Sequence, residues 1–243
     1  MSTRSGVAQT ADLGPAGRDR GAGQRRGAGR RRSEARAPPS WCPYTVARLN
    51  DDTNLYEAGS AAAARMLVEV GPLFRGRRLA IEIGCGPGAV ILGLAGSFER
   101  VRGVDTAQKS VSMLEERAGQ AGIKNARGFL ASDPWDEPTG SADLVYSFIL
   151  PSLKDRIEIA NYVQRASMVL RHGGIAYLRF DTRPRTLGYR LRQGLPDVPG
   201  QRGRRTFRKT EEWVRDRMMG AELEIIGEQR FGTADHWVAA RRR

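Results

Sequence analysis

The hydrophobic positions of this chain fall into two repeating patterns. Short apolar runs of five to seven residues are typical of buried strands, and they predict strands at 79–83, 101–105, 126–130, 142–148 and 175–180. Between them, apolar residues recur at intervals of three and four, which predicts helices at 55–70, 89–96, 108–121 and 154–170. A further helix capped by Thr210 and two closing strands, at 222–229 and 236–240, follow. Strands that alternate with helices in this way predict an α/β fold with a parallel, doubly wound sheet.

Charge is distributed unevenly along the 243 residues, whose formal net charge is +13. Residues 1–40 hold nine arginines and three acidic residues, whereas residues 41–181 hold sixteen residues of each sign. A second excess lies at 183–209, where nine basic residues accompany a single aspartate. A positive charge of this size attracts phosphate-rich partners such as nucleic acid, but the part of the chain with most of the predicted sheet is neutral.

The first forty residues consist mainly of Gly, Ala and Arg and contain almost no large apolar side chains. Such a segment cannot bury enough surface to offset the entropy of ordering it, so we expect a disordered tail at 1–40 and one domain at 41–243. The tail is a basic arm that holds phosphates, an inert extension, or an upstream stretch that belongs to the sequence only because the start codon was chosen wrongly. The basic insert at 183–209 is either a substrate lid that favours an anionic acceptor or a solvated loop.

Several protein classes are excluded by what the sequence lacks. No apolar run approaches the 18 residues of a membrane-spanning helix, and no apolar segment follows the N-terminal arginines as in a secretory signal. Cys42 and Cys85 lie 43 positions apart, a spacing that fits neither a disulfide framework nor a metal site. We therefore expect a cytoplasmic protein with no metal and no membrane association.

The chemistry is concentrated in a glycine turn between a strand and a helix. Gly84, Gly86 and Gly88 let the backbone turn tightly, so that bare N–H groups at the helix start can face a ligand above the sheet. Asp105 ends the next strand, 21 residues after Gly84, and a carboxylate at that place can accept both hydroxyls of a ribose. The turn, the spacing and the topology together predict a nucleoside-binding site.

The glycine pattern does not by itself indicate which nucleoside binds, because residues 84–89 also match the dinucleotide pattern G-x-G-x-x-G/A. Glu82 stands two residues before the first glycine, where its carboxylate would repel a pyrophosphate but could orient the ammonium of an amino acid. Gly88 would leave room for the methionine-like part of a ligand. The chain also ends soon after the predicted sheet, without length for a separate substrate domain. These features favour a nucleoside joined to an amino acid.

These residues resemble the class I S-adenosylmethionine-dependent methyltransferases over 79–180. Residues 82–88 resemble the family's D/E-x-G-x-G-x-G motif, and 101–105 resemble its second motif, with the ribose acid. Residues 141–147 resemble the family's fourth strand, and 170–174 resemble its L-r-p-G-G turn, with His172 in place of proline. The resemblance implies a seven-stranded sheet of order 3-2-1-4-5-7-6 with the last strand antiparallel.

The resemblance also implies the cofactor, S-adenosyl-L-methionine, and the residues that would hold it. An acid after the third strand contacts the adenine in this family; Asp133 is the nearest match, although Ser132 could take the place by a shift in alignment. Trp135 would either cover the adenine or pack elsewhere. The cofactor-binding residues implied are Glu82, Gly84, Cys85, Gly86, Gly88, Asp105, Thr106, Ser132, Asp133 and Ser147.

The acceptor of the methyl group is not identified by any motif. Pro151 stands where many small-molecule members of the family carry a histidine, and the two histidines present, His172 and His236, give no clear general base. We expect a small-molecule acceptor, methylated on oxygen, nitrogen or carbon, and name no catalytic residue. The alternatives are an RNA or protein methyltransferase that uses the basic insert, a nicotinamide-dependent oxidoreductase, and a binder that has lost its acceptor pocket. Nucleic acid is not favoured, because aromatic residues are not interleaved with the arginines of the insert.

Overall fold

The computed structural model describes residues 52–132, 137–150, 155–182, 209–231 and 235–243. Its strands are β1 Leu79–Ile83, β2 Arg100–Asp105, β3 Ala126–Leu130, β4 Ala142–Ser147, β5 Leu170–Asp181, β6 Leu223–Phe231 and β7 Asp235–Arg242. Its helices are α1 Asp52–Val70, α2 Ala89–Gly93, α3 Gln108–Gln120, α4 Arg156–Val169 and α5 Glu211–Gly220, with a short 3₁₀ turn at Gly71–Leu73. The N-terminal tail, Asp133, Trp135, Pro151 and all of the basic insert except Lys209 lie outside the described residues.

The seven strands form one sheet in the order β3-β2-β1-β4-β5-β7-β6. Strands β1 to β5 run parallel to one another, whereas β7 runs antiparallel to both β5 and β6. The predicted topology is therefore confirmed. Because β1, β2 and β4 are parallel neighbours, their carboxyl ends meet at one edge of the sheet, and this edge is where doubly wound sheets bind ligands.

Both faces of the sheet are covered by helices, and successive strand residues alternate between two hydrophobic cores. One core contains Ala80, Tyr146 and Trp237 together with residues of α1, α2 and α3. The other contains Ile81, Val145 and Val238 together with residues of α4 and α5. Strands buried on both faces read as continuous apolar runs, which is why β1 and β4 were recognisable from the sequence.

The start of α5 matches the expectation from its sequence. Thr210 Oγ1 accepts a hydrogen bond from the backbone N–H of Trp213 at 3.2 Å, and Glu211 and Glu212 occupy the first turn. Helix α4 begins in the same manner, since the Asp155 side chain accepts from the N–H of Ile157 at 2.8 Å. Such caps satisfy backbone donors that have no partner within the helix.

The junction of α4 and β5 differs from the prediction. The sequence predicts a turn at 170–174 before a strand that starts at 175, but α4 ends at Val169 and β5 begins directly at Leu170, so Gly173 and Gly174 lie within the strand. The reason is the close approach of β4: a Cβ on Gly174 would lie 2.8 Å from the carbonyl oxygen of Ala142. Helix α2 is also shorter than predicted and ends at Gly93.

No helix within the described ranges is both long enough and apolar enough to span a membrane.

Candidate functional site

The glycine turn connects the carboxyl end of β1 to α2. Gly84, Gly86 and Gly88 have φ angles of +76°, +51° and +86°, which lie in the left-handed region that favours glycine. The turn stands beside the end of β2, because the N–H groups of Gly84 and Cys85 both donate to the carbonyl oxygen of Val104, at 2.6 and 3.1 Å. It therefore lies at the edge where the parallel strands end.

The three glycines face different surroundings. A Cβ on Gly86 would have no atom within 4 Å, so this part of the turn opens into free space. A Cβ on Gly88 would lie 2.8 Å from Cγ of Leu114, a fully buried residue of α3. The missing side chain at Gly88 thus makes room for the core, and the expectation that Gly88 also leaves room for a ligand stays a prediction. A Cβ on Gly84 would lie 2.0 Å from Cδ1 of Ile149.

Asp105 brings a carboxylate to the open part of the turn. Its Oδ2 accepts a hydrogen bond from the N–H of Gly86, and its Oδ1 accepts one from the N–H of Ala107, both at 2.9 Å. A carboxylate has about four acceptor positions, so two remain for hydroxyl donors. This arrangement fits the ribose of a nucleoside.

The sequence predicted backbone N–H groups that could face a ligand, but at three positions of the turn these groups already have partners within the protein. The N–H groups of Gly84, Cys85 and Gly86 are all used by Val104 and Asp105. A pyrophosphate would need such donors, and it would also meet the carboxylate of Asp105. The turn therefore fits an uncharged or cationic group better than a dinucleotide.

Glu82 lies beneath the turn and is only 4% exposed. Its Oε2 accepts a hydrogen bond from the hydroxyl of Tyr146 at 3.0 Å, and its carboxyl group also accepts one from the backbone N–H of Ile91, in α2. Burial raises the pKa of Glu82 to about 8, and the hydrogen bond from Tyr146 opposes this shift. A buried carboxyl group without a cation beside it is stabilised as the neutral acid.

Comparison with known proteins identifies the chemistry of this fold. Residues 80–174 match the family model described as a methyltransferase domain, and this range contains the turn, Asp105 and β4. This match is consistent with a class I S-adenosylmethionine-dependent methyltransferase, and the sheet has the strand order of that fold. The protein is an enzyme that transfers a methyl group, and its cofactor is S-adenosylmethionine.

Solved methyltransferases share the fold at low sequence identity. A methyltransferase from Aquifex aeolicus is 14% identical, with a TM-score of 0.57, over 83% of this chain and 98% of its own. One from Clostridium acetobutylicum is also 14% identical, with a TM-score of 0.58, over 83% and 96%. A geranyl diphosphate methyltransferase is 15% identical, with a TM-score of 0.58, over 82% and 95%. No curated protein sequence matches the chain.

Two of the predicted site residues of the methyltransferase are bonded within the protein. The hydroxyl of Ser147 donates to the carbonyl oxygen of Ile83 at 2.8 Å and is fully buried, so it links β4 to β1. The thiol of Cys85 is buried, and burial raises its pKa well above the usual value, so it remains protonated. Thr106 and Ser132 are exposed next to the ends of β2 and β3, while Asp133 lies outside the described residues.

Neither histidine is placed as a general base beside the turn of the methyltransferase. His172 is exposed near the beginning of β5, far along the strand from its carboxyl end. His236 is 1% exposed, and its Nε2 lies 3.3 Å from Oε1 of Glu228. Burial lowers the pKa of His236, with the charge of Glu228 acting in the opposite direction. His236 is therefore a packed residue of the core.

The sequence analysis missed a set of residues around the end of β4. Ile149 lies against Gly84, and the two neighbouring carbonyl groups accept hydrogen bonds from Arg179 and Lys209. Arg179 interrupts the apolar run of β5, which was the available signal. Lys209 gave no signal, because its partner is 59 positions away.

Two other features of the described residues do not contribute to the site. A cavity of about 180 Å³ lies between the end of α1 and the strands β5 to β7, but its lining includes no residue of the glycine turn. The described residues contain no group of three or more side chains suited to hold a metal ion.

Proposed function

We propose that this methyltransferase transfers the methyl group of S-adenosylmethionine to a small-molecule acceptor. In this proposal the nucleoside end of the cofactor is held at the edge formed by β1 and β2. The residues that would contact or shape the cofactor site are Glu82, Gly84, Cys85, Gly86, Gly88, Asp105, Thr106, Ser132, Asp133 and Ser147.

The single observation that supports the cofactor site best is the pairing of Asp105 with Gly86. The carboxylate bonds to the turn at the one glycine whose missing side chain faces open space. A ligand can therefore approach the backbone closely and meet free acceptor positions of Asp105 at the same time. A ribose with two neighbouring hydroxyl groups satisfies both conditions.

Glu82 is proposed to act on the other end of the cofactor through its charge. Its carboxyl group lies beneath the turn in surroundings of low polarity, where a nearby ammonium would be attracted strongly. The arrival of such a cation would shift the buried acid from its neutral form towards the carboxylate. Glu82 would therefore select a cofactor with a positively charged amino-acid end and disfavour a pyrophosphate.

When bound, the cofactor would supply a methyl group carried on a sulfonium: the acceptor would form a bond to the methyl carbon as the carbon–sulfur bond breaks, and S-adenosylhomocysteine would leave. The protein contributes the positions of the two reactants and excludes water from them. The transfer needs no covalent intermediate with the protein. No histidine of the described residues stands beside the turn, so the proposal favours an acceptor that is nucleophilic without a dedicated base.

The nature of the acceptor is supported by composition and by the neighbours. Among similar structures are a geranyl diphosphate methyltransferase and a magnesium protoporphyrin IX methyltransferase, and both names contain that of a small molecule. The basic insert at 183–209 suits an anionic acceptor, because its positive charge would attract one. Eight of its nine basic residues lie at 183–208, directly after the end of β5 in the sequence. The same charge supports RNA as the second candidate.

A thermal-shift experiment on the full chain tests the proposal. S-adenosylhomocysteine at a hundredfold excess over its Kd should add about 2.7 kcal/mol and raise Tm by roughly 5–10 °C. NADH should give no shift. A shift with NADH alone would overturn the proposal, and a shift with neither compound would remove its cofactor site.

A matched pair of variants locates the site. Glu82→Gln should weaken the binding of S-adenosylhomocysteine, whereas Glu69→Gln should not. Glu69 is a suitable control because its Oε2 also accepts a hydrogen bond from a tyrosine, Tyr177, at 2.8 Å, but it lies away from the turn. Equal affinities in the two variants would contradict the role of Glu82.

If the acceptor is RNA, the protein should bind RNA with an affinity that falls steeply as the salt concentration rises.

A further inference from the structure

Two buried cations hold the loop that leaves β4. Nη1 of Arg179 donates to the carbonyl oxygen of Phe148 at 3.2 Å, and Nζ of Lys209 donates to the carbonyl oxygen of Leu150 at 3.3 Å. The residue between them, Ile149, is the one whose side chain lies against Gly84 of the cofactor turn. We use "the β4 loop" for residues 148–150. The carbonyl groups of Phe148 and Leu150, on either side of Ile149, are thus both bound by charged side chains from elsewhere in the chain.

Arg179 approaches the β4 loop from one face of the sheet. It sits near the end of β5 and is 5% exposed, with its guanidinium group 5.9 Å from the ring centre of Trp237. Its Nε and Nη2 donate to Oδ1 of Asp235 at 3.1 and 2.6 Å, so the charge is balanced by the first residue of β7. The ring of Phe148 packs against the same tryptophan, with ring centres 5.1 Å apart and an angle of 56° between the ring planes. The contact with the β4 loop is therefore part of a packed arrangement of defined geometry.

Lys209 approaches from the opposite face. It is 2% exposed and forms an isolated β-bridge with Thr182, which follows directly after β5. Leu150 belongs to the core under α4 and α5, whereas Phe148 belongs to the core under α1, α2 and α3. The β4 loop thus crosses from one face of the sheet to the other, and one cation fixes each end of the crossing.

Burying two cations is costly, and apolar residues of similar size would stabilise the fold at lower cost. A bound carbonyl on either side of Ile149 leaves the loop little freedom to shift along the sheet. Since the Ile149 side chain fills the space above Gly84, a shift of the loop would move one wall of the cofactor turn. The position of Ile149 is therefore determined by residues that do not touch the turn themselves.

We propose that Arg179 and Lys209 are positioning residues for the cofactor: they hold the β4 loop so that Ile149 forms the wall of the site above Gly84. This inference rests on the proposed function. It assigns to Lys209, the last residue of the basic insert, a place inside the fold rather than at an acceptor. It also explains why Arg179 interrupts an otherwise apolar strand.

The test compares Arg179→Met and Lys209→Met with Arg102→Met in the full chain. Arg102 is a suitable control because its Nε also pairs with a buried carboxylate, Glu137, at 2.8 Å, but it does not touch the β4 loop. S-adenosylhomocysteine should bind roughly tenfold more weakly to both loop variants, by calorimetry, because a positioning hydrogen bond is lost. Arg102→Met should stay within about twofold of wild type, since the contacts it loses, to Glu137 and to the carbonyl groups of Val101 and Asn125, do not involve the β4 loop.

Conservative variants keep the test informative if a methionine variant does not fold. Arg179→Lys and Lys209→Arg each retain a donor and a charge, so they should recover most of the affinity. Affinities equal to wild type in the methionine variants, or an equal loss in Arg102→Met, would overturn the inference. No rescue by Arg179→Lys and Lys209→Arg would also count against it.

Hydrogen exchange separates this inference from the proposed function. Amides of residues 148–150 should exchange faster in Arg179→Met and Lys209→Met than in Arg102→Met, with or without cofactor. If wild type binds no S-adenosylhomocysteine, the proposed function fails, but exchange still decides whether the two cations hold the loop. Unchanged exchange in both variants would overturn the inference even if the wild type binds the cofactor.

Discussion

Replacing Glu82 by glutamine should change how the stability of the protein depends on pH. In the fold, burial raises the pKa of Glu82 to about 8, from a value of 4.5 for an unburied glutamate. Between these two values the folded protein retains a proton that the unfolded chain has released. The free energy of unfolding therefore contains a contribution from Glu82 that is present below pH 4.5 and lost as the pH rises towards 8.

The size of this contribution follows from the shift. Each pKa unit corresponds to about 1.36 kcal/mol, so the change from 4.5 to about 8 is worth about 4 to 5 kcal/mol. Glu82 is only 4% exposed, so screening by solvent reduces this free-energy contribution little. A glutamine at this position stays neutral at every pH, and its carbonyl oxygen can still accept from Tyr146 or Ile91.

Urea unfolding followed by circular dichroism, without cofactor, measures the effect at intervals from pH 5 to pH 9. The quantity to follow is the difference in free energy of unfolding between Glu82→Gln and wild type, because other titrating groups cancel in it. This difference should move in favour of the variant by about 4 kcal/mol as the pH rises to 8 and then level off. Parallel curves for the two proteins would refute the reasoning, and so would a difference that moves in favour of wild type.

Two other predictions concern stability. Gly88→Ala should cost about 2–3 kcal/mol, because its Cβ would lie 2.8 Å from Cγ of Leu114 at a φ of +86°. Gly86→Ala meets open space and should cost only the backbone strain, about 1 kcal/mol, so equal urea midpoints in the two variants would contradict this account. His236→Gln should flatten the loss of stability below pH 6.5, because burial lowers the pKa of His236 and its protonation favours unfolding. Unfolding curves from pH 7.5 to 5 check this, and an unchanged slope would exclude a buried neutral imidazole.

Local patterns in the sequence were enough to predict the alternation of strands and helices. The strands of the sheet are short apolar runs, and the chain returns between parallel strands through helices, which allows few topologies. The order β3-β2-β1-β4-β5-β7-β6 came from a family resemblance carried by four short motifs, and it is confirmed. The position of the glycine turn and the acid at the end of β2 were recognisable because each belongs to one local segment.

The boundaries that were wrong depend on contacts between distant segments. Gly173 and Gly174 looked like part of a turn, but the approach of β4 at Ala142 places them in β5. The packing of Leu114 of α3 against Gly88 is another contact between distant segments that the sequence did not reveal. Only the fold shows whether a side chain in place of a glycine would meet a neighbour, as at Gly88 and Gly174, or open space, as at Gly86.

The sequence alone determined the order of the elements, the edge of the sheet that carries the site and the residue types present there. The tertiary structure decided the environment of each charge. Glu82 meets Tyr146 across 64 positions, and Arg179 and Lys209 reach the β4 loop across 31 and 59. Periodicity records which face of an element is buried, but the pKa of a carboxyl group and the partner of a buried cation depend on atoms that become neighbours only when the chain folds.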